Sequence, residues 1–444
     1  MSTALNCALF PNMKQSRLLH NIVSLGTLQI VNSVSLLATI PFVTRALGVV
    51  LWGKVTFVLL VINYLLWMTN WGFPFSATRK IAMNRDDTLA RSEIFMATWV
   101  GQWILAVLVI IVLMGLLAFA PFFSAYRALY IYGIGLIVGT VLFPSWFLTG
   151  LEMMKELALF QSIPQILSVP AIILLVRHPK DASLYIGINA AVSLLSGLLA
   201  LIWIQSKLHI RWSFPGFGSV YEELKDGSAL FASAMWNNLY IKITPTALGI
   251  LAGPAALGIF NLASRPLGLA RSVLTPINNA VFPRMSRLYV RDHANAARIL
   301  RLSGAIITLV CAAISFSLLL FAHPIVSFLG GAKFEQSAGV LRWLSPFPLA
   351  MGLAFFFGFQ VMIPAGKIKA YTKIIAAAGC LNLIAIFPLV RWMGVDGAAI
   401  AMLLMESFAA IAMFFYSKRN GFFLYRGSVQ NAASNIPEVT VPGE

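Results

Sequence analysis

The sequence predicts an all-α membrane protein with about twelve transmembrane helices, arranged as two six-helix lobes that are related by an internal repeat. Three observations predict this fold class: the composition, the length of the apolar runs and the distribution of the basic residues. Of the 444 residues, 59% are hydrophobic and 11% are charged, whereas soluble domains carry about 25% charged residues. The mean hydropathy is +0.84, so most of the surface is expected to face lipid.

The apolar runs are long enough to cross a bilayer as helices. A spanning helix needs about 20 apolar residues, and its backbone polar groups must be satisfied within the helix because hydrocarbon offers them no partner. The runs predict spans at residues 19–43, 52–74, 94–118, 128–148, 157–176, 183–204, 228–251, 256–282, 302–322, 338–363, 372–391 and 397–416.

The basic residues orient these spans. If both termini lie on one side, the loops of that side hold 21 of the 32 Lys and Arg residues and the opposite loops hold 8. Cytoplasmic loops carry the excess of Lys and Arg in membrane proteins. A multi-pass membrane protein with both termini in the cytoplasm is therefore predicted. The net charge of +17 follows from this topology, and no binding of nucleic acid is expected.

A weak duplication runs through the chain. The segment ALGVVLWG, with Gly48 and Gly53, recurs as AGPAALG, with Gly253 and Gly258, and both glycine pairs are 205 residues apart. The alternative is coincidence, because glycine is common wherever helices meet loops. Parallel halves favour two lobes with a central site that alternates in access.

A second pair of segments, LTGLEMMK after span four and IPAGKIK after span ten, places Gly150 opposite Gly366. The resulting organisation has four parts. They are an N-terminal six-helix lobe (1–204), a central cytoplasmic loop (205–227), a C-terminal six-helix lobe (228–416) and a polar cytoplasmic tail (417–444) that is expected to be disordered.

The candidate binding residues are cations at membrane depth. Lys242, Arg265 and Arg271 lie inside predicted spans, and Glu406 is the acid that lies well within one. Burying a charge in hydrocarbon costs several kcal/mol unless it faces water or a partner. Excess positive charge suits an anionic ligand such as a diphosphate, and Arg45 near the outer end of span one could extend the site. Alternatively, Arg265 and Arg271 reach the span edges and only anchor the helix.

Glu406 could couple transport to an ion, or it could pair with a neighbouring cation. The chain has no nucleotide-binding loop, HExxH or CxxC motif, and its five histidines are scattered along the span edges. No catalytic residue, metal site or cofactor is therefore expected, and the chain is not expected to be an enzyme.

Four stretches together resemble a known family. They are PFVTRALGVVLWG (41–53), GFPFSATRKIA (72–82), PSWFLTGLEMMKELA (144–158) and LGIFNLASRPLG followed by FPRMSRLY (257–289). Their order and spacing are similar to those of the polysaccharide transporters of the multidrug/oligosaccharidyl-lipid/polysaccharide exporter superfamily, and within it to the Wzx-type O-antigen and exopolysaccharide flippases.

The resemblance implies a flippase for surface polysaccharide biosynthesis. Its substrate would be an undecaprenyl-diphosphate-linked oligosaccharide repeat unit, moved from the cytoplasmic to the periplasmic leaflet. Membrane lipids, a polysaccharide polymerase and a chain-length regulator would be its partners. Two alternatives stay open. A cation-coupled multidrug exporter of the same superfamily would need intramembrane acids, and a membrane-bound polymerase or ligase would need a long periplasmic loop.

Overall fold

The computed structural model describes residues 12–291 and 293–421, and these residues are almost entirely helical, with no strand among them. The first eight helices are α1 (Asn12–Asn70), α2 (Phe73–Met83), α3 (Thr88–Phe119), α4 (Pro121–Ser124), α5 (Arg127–Leu142), α6 (Ser145–Gly150), α7 (Met154–Leu175) and α8 (Ala182–Leu208). They are followed by α9 (Phe217–Leu251), α10 (Gly253–Arg291), α11 (His293–Leu320), α12 (Ala322–Gly330), α13 (Gln336–Leu344), α14 (Phe347–Phe355) and α15 (Ile368–Arg419). Short 3₁₀ turns cover Pro179–Asp181 and Ala332–Phe334, and a π-helical segment covers Phe356–Met362.

The two longest helices are each bent at a glycine. Gly48 in α1 has φ 72° and Gly394 in α15 has φ 57°, a backbone conformation that favours glycine because it lacks a Cβ atom. The predicted spans 19–43 and 52–74 therefore lie on either side of Gly48, and 372–391 and 397–416 lie on either side of Gly394.

Eight helical segments in the described part of the chain are long and apolar enough to cross a membrane: Leu37–Met83, Thr88–Phe119, Arg127–Gly150, Met154–Leu175, Pro179–Leu208, Asn295–Leu320, Gln336–Met362 and Ile368–Arg419. The predicted spans 228–251 and 256–282 fall on α9 and α10. The fold class of an all-α membrane protein is confirmed, and the count of twelve spans stays a prediction.

The outer face of α3 illustrates why the fold needs lipid. Leu108, Ile111 and Phe119 are 54%, 62% and 90% exposed. Soluble monomers rarely expose continuous apolar patches of this kind. On a membrane-spanning helix, the same side chains contact hydrocarbon.

The described residues form two compact units. The first contains residues up to Lys242 together with Ala252–Asn261 and Ser327–Glu335, and the second contains Ile243–Leu251, Leu262–Val326 and the residues from Gln336 onward. The first unit has an aromatic core in which Phe73, Phe95, Trp146 and Phe147 are buried. The predicted division into two six-helix lobes stays a prediction.

The central loop, which was predicted to cover residues 205–227, is shorter than predicted. Helix α8 continues to Leu208, and residues from Phe217 onward form the start of α9. The apolar run begins only near residue 228, so hydropathy alone missed these polar helical turns. At the end of the chain, α15 continues to Arg419, and residues 422–444 of the predicted tail lie outside the described part of the chain.

The duplicated glycine motif has matching geometry in its two copies. Gly48 and Gly253 both adopt positive φ, 72° and 80°. Five residues later, Gly53 and Gly258 pack directly against each other's segments, so that a methyl group on Gly53 would overlap the carbonyl oxygen of Pro254. This backbone match supports the internal repeat.

The second predicted pairing is displaced by two residues. Glu152 (φ 60°) and Gly366 (φ 73°) both end a helix in the left-handed conformation. In each copy the following amide donates to a carbonyl five residues back, Met153 to Leu148 and Lys367 to Met362, both at 2.9 Å. This is the Schellman arrangement. The structural equivalent of Gly366 is therefore Glu152 rather than Gly150, because the helix end and not the glycine is the repeated feature.

Candidate substrate-binding site

The three cations predicted at membrane depth lie on two consecutive helices. Lys242 on α9 and Arg265 on α10 are half-buried, whereas Arg271 on α10 is exposed. Each has at least one interaction partner, so none of them is an isolated buried charge. Lys242 belongs to the first compact unit, and Arg265 and Arg271 belong to the second. A shared chamber for these three side chains stays a prediction.

The predicted acid, Glu406, is half-buried on α15 in the second unit. It lies close enough to Tyr371 on the same helix for an electrostatic interaction. Tyr371 in turn packs against Gly358 of the π-helical segment. An ion-coupling role for Glu406 stays a prediction.

Arg45, predicted as an extension of the site, binds the end of a helix. Its terminal Nη2 donates hydrogen bonds to the carbonyl oxygens of Ser327 (3.4 Å) and Phe328 (3.0 Å). The neighbouring Thr44 hydroxyl donates to the carbonyl of Leu329 at 2.6 Å. The last carbonyls of a helix have no partner within it and form its negative end. Arg45 therefore stabilises the C-terminal end of α12, and a role toward substrate would be additional.

Two buried amide side chains in the second unit were missed by the sequence analysis. Gln360, in the π-helical segment, accepts a hydrogen bond from the Ser303 hydroxyl at 2.8 Å, and Asn382 donates one to the Thr244 hydroxyl at 2.9 Å. Both amides are fully buried, and each has a second polar atom for which the described residues offer no hydrogen-bond partner. Their only sequence signal is an amide in the middle of an apolar run.

An ion-pair cluster, which we call the α2–α9 cluster, joins Lys80 to Glu223 and Asp226. The Lys80 ammonium lies 2.8 Å from Glu223 Oε1 and 2.7 Å from Asp226 Oδ2. Glu223 is buried, and burial raises the pKa of its carboxyl although Lys80 favours the charged form. Buried charges of this kind are stable only when they are paired.

Aromatic and glycine contacts hold α9 beside this cluster. The Trp71 indole donates a hydrogen bond to the Leu224 carbonyl at 2.7 Å, and its ring stacks on Phe231 with centroids 4.4 Å apart. Gly72 approaches the backbone of Gly227 so closely that a side chain at Gly72 would overlap it. The start of α9 is therefore fixed to the α1–α2 junction of the first unit.

Substitution of Lys80 tests the α2–α9 cluster. Lys80→Met is expected to lower the free energy of unfolding by about 2 kcal/mol, because it leaves the Glu223 carboxylate buried without its cation. Thermal unfolding of the purified protein in detergent measures this loss. The matched control is Arg79→Met, at the exposed neighbouring position, which is expected to change stability by less than about 0.5 kcal/mol.

The same variant should respond to pH. The pKa of Glu223 in the folded state lies above its ordinary value of 4.5. The folded state therefore gains stability relative to the unfolded state as the pH falls from above the folded pKa toward 4.5. The loss in Lys80→Met is therefore expected to shrink as the pH falls from neutral toward 4.5, and Glu223→Gln in the same background should recover part of it. A loss that is independent of pH and unaffected by the second substitution would contradict a role for the buried charge.

Comparison with known proteins identifies the family. A family model described as "Polysaccharide biosynthesis protein" matches residues 18–289, which is more than half of the chain. The chain belongs to this family. The resemblance derived above from short motifs is therefore confirmed.

Two curated relatives match over nearly their whole lengths, and both carry the name "Putative O-antigen transporter". The protein from Escherichia coli (strain K12) is 28% identical over 92% of this chain and 99% of its own length. The protein from Shigella dysenteriae is 24% identical over 84% of this chain and 93% of its own length.

The fold of this member of the polysaccharide biosynthesis protein family is shared with solved transporter structures. A multidrug resistance MATE family transporter of the MOP superfamily, in an inward-facing conformation, aligns with a TM-score of 0.66 and 14% identity, covering 90% of this chain and 98% of that one. At this identity the likeness concerns the fold alone. The chain is a multi-pass membrane protein with the fold of that superfamily.

Proposed function

We propose that the chain is a flippase that moves undecaprenyl-diphosphate-linked oligosaccharide repeat units from the cytoplasmic to the periplasmic leaflet for surface polysaccharide biosynthesis. The observation that carries this proposal is the match to a relative named as an O-antigen transporter over 92% of this chain and 99% of the relative. The chain acts as a transporter rather than an enzyme, in the bacterial inner membrane, with both termini in the cytoplasm.

The proposed mechanism is alternating access with charge neutralisation. The diphosphate-sugar head enters between two lobes while the prenyl chain stays in lipid. Moving a bare dianion through hydrocarbon would cost tens of kcal/mol on a Born estimate. Lys242, Arg265 and Arg271 reduce this cost by pairing with the phosphate oxygens, and Arg265 and Arg271 can do so through two parallel hydrogen bonds each.

The buried polar groups of the second unit add support for a transport role. Polar side chains inside membrane helices are expensive and commonly mark transport pathways. Gln360 lies in a π-helical segment, a distortion often found at functional sites. We infer that Gln360 and Asn382 provide hydrogen bonds that are exchanged when the second unit changes conformation.

A cation-coupled multidrug exporter is the second candidate function. It is favoured by the fold, which is shared with a MATE transporter. It is disfavoured by the charge well inside the predicted spans, away from their ends, where the three cations Lys242, Arg265 and Arg271 outnumber the one acid, Glu406. An organic cation would be repelled by this balance.

Deletion of the gene tests the proposed function. Lipid-linked oligosaccharide is expected to accumulate in the cytoplasmic leaflet, and surface polysaccharide is expected to be lost. Radiolabelled sugar incorporation followed by leaflet-specific labelling measures both. Normal surface polysaccharide with altered drug tolerance would instead favour the exporter. A polymerase and a chain-length regulator are the protein partners that we propose downstream, because they would consume the translocated unit.

A further inference from the structure

The second unit contains an apolar groove that the transport mechanism above does not use. It lies between α11 and the α14–π segment and has a volume of about 530 Å³. Residues from Leu300 to Ala312 form one wall, and Leu353, Phe356 and Phe357 form the other. At 1.5 Å per residue the α11 wall is about 18 Å long. The groove is therefore long and narrow rather than round.

Small residues and a rigid aromatic wall make the groove. A Cβ atom on Gly304 would lie 2.8 Å from Cζ of Phe356, so the ring packs directly against this glycine and the two walls meet at the floor of the groove. Ala305 and Ala312 widen the groove on the same helix. Leu309, farther along the wall, is 73% exposed. The groove is thus open along one side, with its floor where Gly304 meets Phe356.

The groove has one charged residue, Arg301, near one end. Its side chain is exposed, and its Nε donates a long hydrogen bond, 3.4 Å, to the carbonyl of Ala297. No salt bridge to Arg301 occurs among the described residues. A guanidinium can form paired hydrogen bonds with phosphate oxygens. The groove therefore combines an apolar channel with an anion-binding group at one end.

We propose that, before the head enters between the lobes, this groove binds a stretch of the polyprenyl chain of the lipid-linked substrate along its lipid-facing open side, with Arg301 beside its diphosphate. The inference rests on the proposed function, which supplies a substrate with one long branched chain and an anionic group at its end. The single channel and single cation match that chemistry better than a phospholipid, which carries two unbranched chains. Arg301 lies on the side predicted to be cytoplasmic, where this substrate would load.

Native mass spectrometry of the purified full-length protein tests the proposal. The probes are undecaprenyl diphosphate, without sugar, and phosphatidylglycerol at equal concentration. Ala312→Trp and Ala305→Phe fill the groove at two positions, and Arg301→Ala removes the cation. Each is expected to reduce retention of undecaprenyl diphosphate about tenfold, which corresponds to about 1.4 kcal/mol.

Two exposed positions on α11 outside the groove provide matched controls. Leu302→Trp introduces the same large side chain as Ala312→Trp, Arg298→Ala removes the same charge as Arg301→Ala, and both positions are exposed. Each control is expected to retain undecaprenyl diphosphate within about twofold of the unmodified protein, a difference of about 0.4 kcal/mol.

Two results would overturn the proposal. Unchanged retention of undecaprenyl diphosphate in both groove-filling variants would exclude the groove as its site. If phosphatidylglycerol is retained as well as undecaprenyl diphosphate, and if the same substitutions abolish its retention, the groove is an ordinary lipid site. Neither result depends on sugar transport, so failure of the groove is distinguishable from failure of the proposed function, which the deletion strain reports separately.

Discussion

Replacing Lys242 and Arg265 together by glutamine is expected to abolish surface polysaccharide. Each lost hydrogen bond between a charged side chain and a phosphate costs about 1.5–3 kcal/mol. The loss of two should therefore slow translocation by about 100-fold or more. Electrophoresis of surface polysaccharide from a deletion strain that carries the variant gene measures the effect, with membrane levels of the protein measured in parallel.

Two further variants separate charge from structure. The single variant Lys242→Arg keeps the positive charge. When it is expressed in the deletion strain, we expect it to restore most of the surface polysaccharide that the unmodified gene restores. Arg177→Gln removes a charge from an exposed loop residue and should have no effect. Normal polysaccharide in the Lys242→Gln/Arg265→Gln variant would show that these cations only anchor their helices.

Gly53→Ala is expected to destabilise the protein by about 3 kcal/mol, at the upper end of the cost of adding one carbon to a packed core. The new methyl group would overlap the Pro254 carbonyl, which is backbone and cannot move aside as a side chain can. Thermal unfolding in detergent and the yield of folded protein in membranes measure the loss.

Gly115→Ala is the matched control for this prediction. Gly115 lies in α3 with no neighbouring atom within 4 Å of an added Cβ atom. The substitution is expected to stabilise α3 by up to about 1 kcal/mol through helix propensity. Equal melting temperatures for Gly53→Ala and Gly115→Ala would contradict the close contact between the two copies of the glycine motif.

The features that follow from local sequence were predictable. Hydropathy predicted the all-α membrane fold, because a chain in hydrocarbon has few other ways to satisfy its backbone. The shared 205-residue spacing from Gly48 to Gly253 and from Gly53 to Gly258 predicted an internal repeat, and the matching positive φ of Gly48 and Gly253 supports it. Both predictions need only composition and spacing along the chain.

The features that depend on distant contacts were not predictable from one sequence. Lys80 and Glu223 are 143 positions apart, a separation at which neither composition nor periodicity indicates a contact. The extension of the binding site to Arg45 stays a prediction, and the hydrogen bonds of Arg45 to carbonyls of α12 were not foreseen because hydropathy does not encode this contact. The displaced pairing of Gly150 arose because Glu152 adopts the left-handed conformation without being glycine.

Reconstitution of the purified protein in liposomes shows whether it flips lipid-linked oligosaccharide. Liposomes carry undecaprenyl-diphosphate-linked oligosaccharide in both leaflets, and a membrane-impermeant glycosidase is added outside. Without a flippase the enzyme cleaves only the outer half of the substrate. The account predicts nearly complete cleavage when the protein is present, and cleavage of only half with the Lys242→Gln/Arg265→Gln variant. If the unmodified protein is correctly folded in the liposomes and only half of the substrate is cleaved, the proposed flippase activity is contradicted.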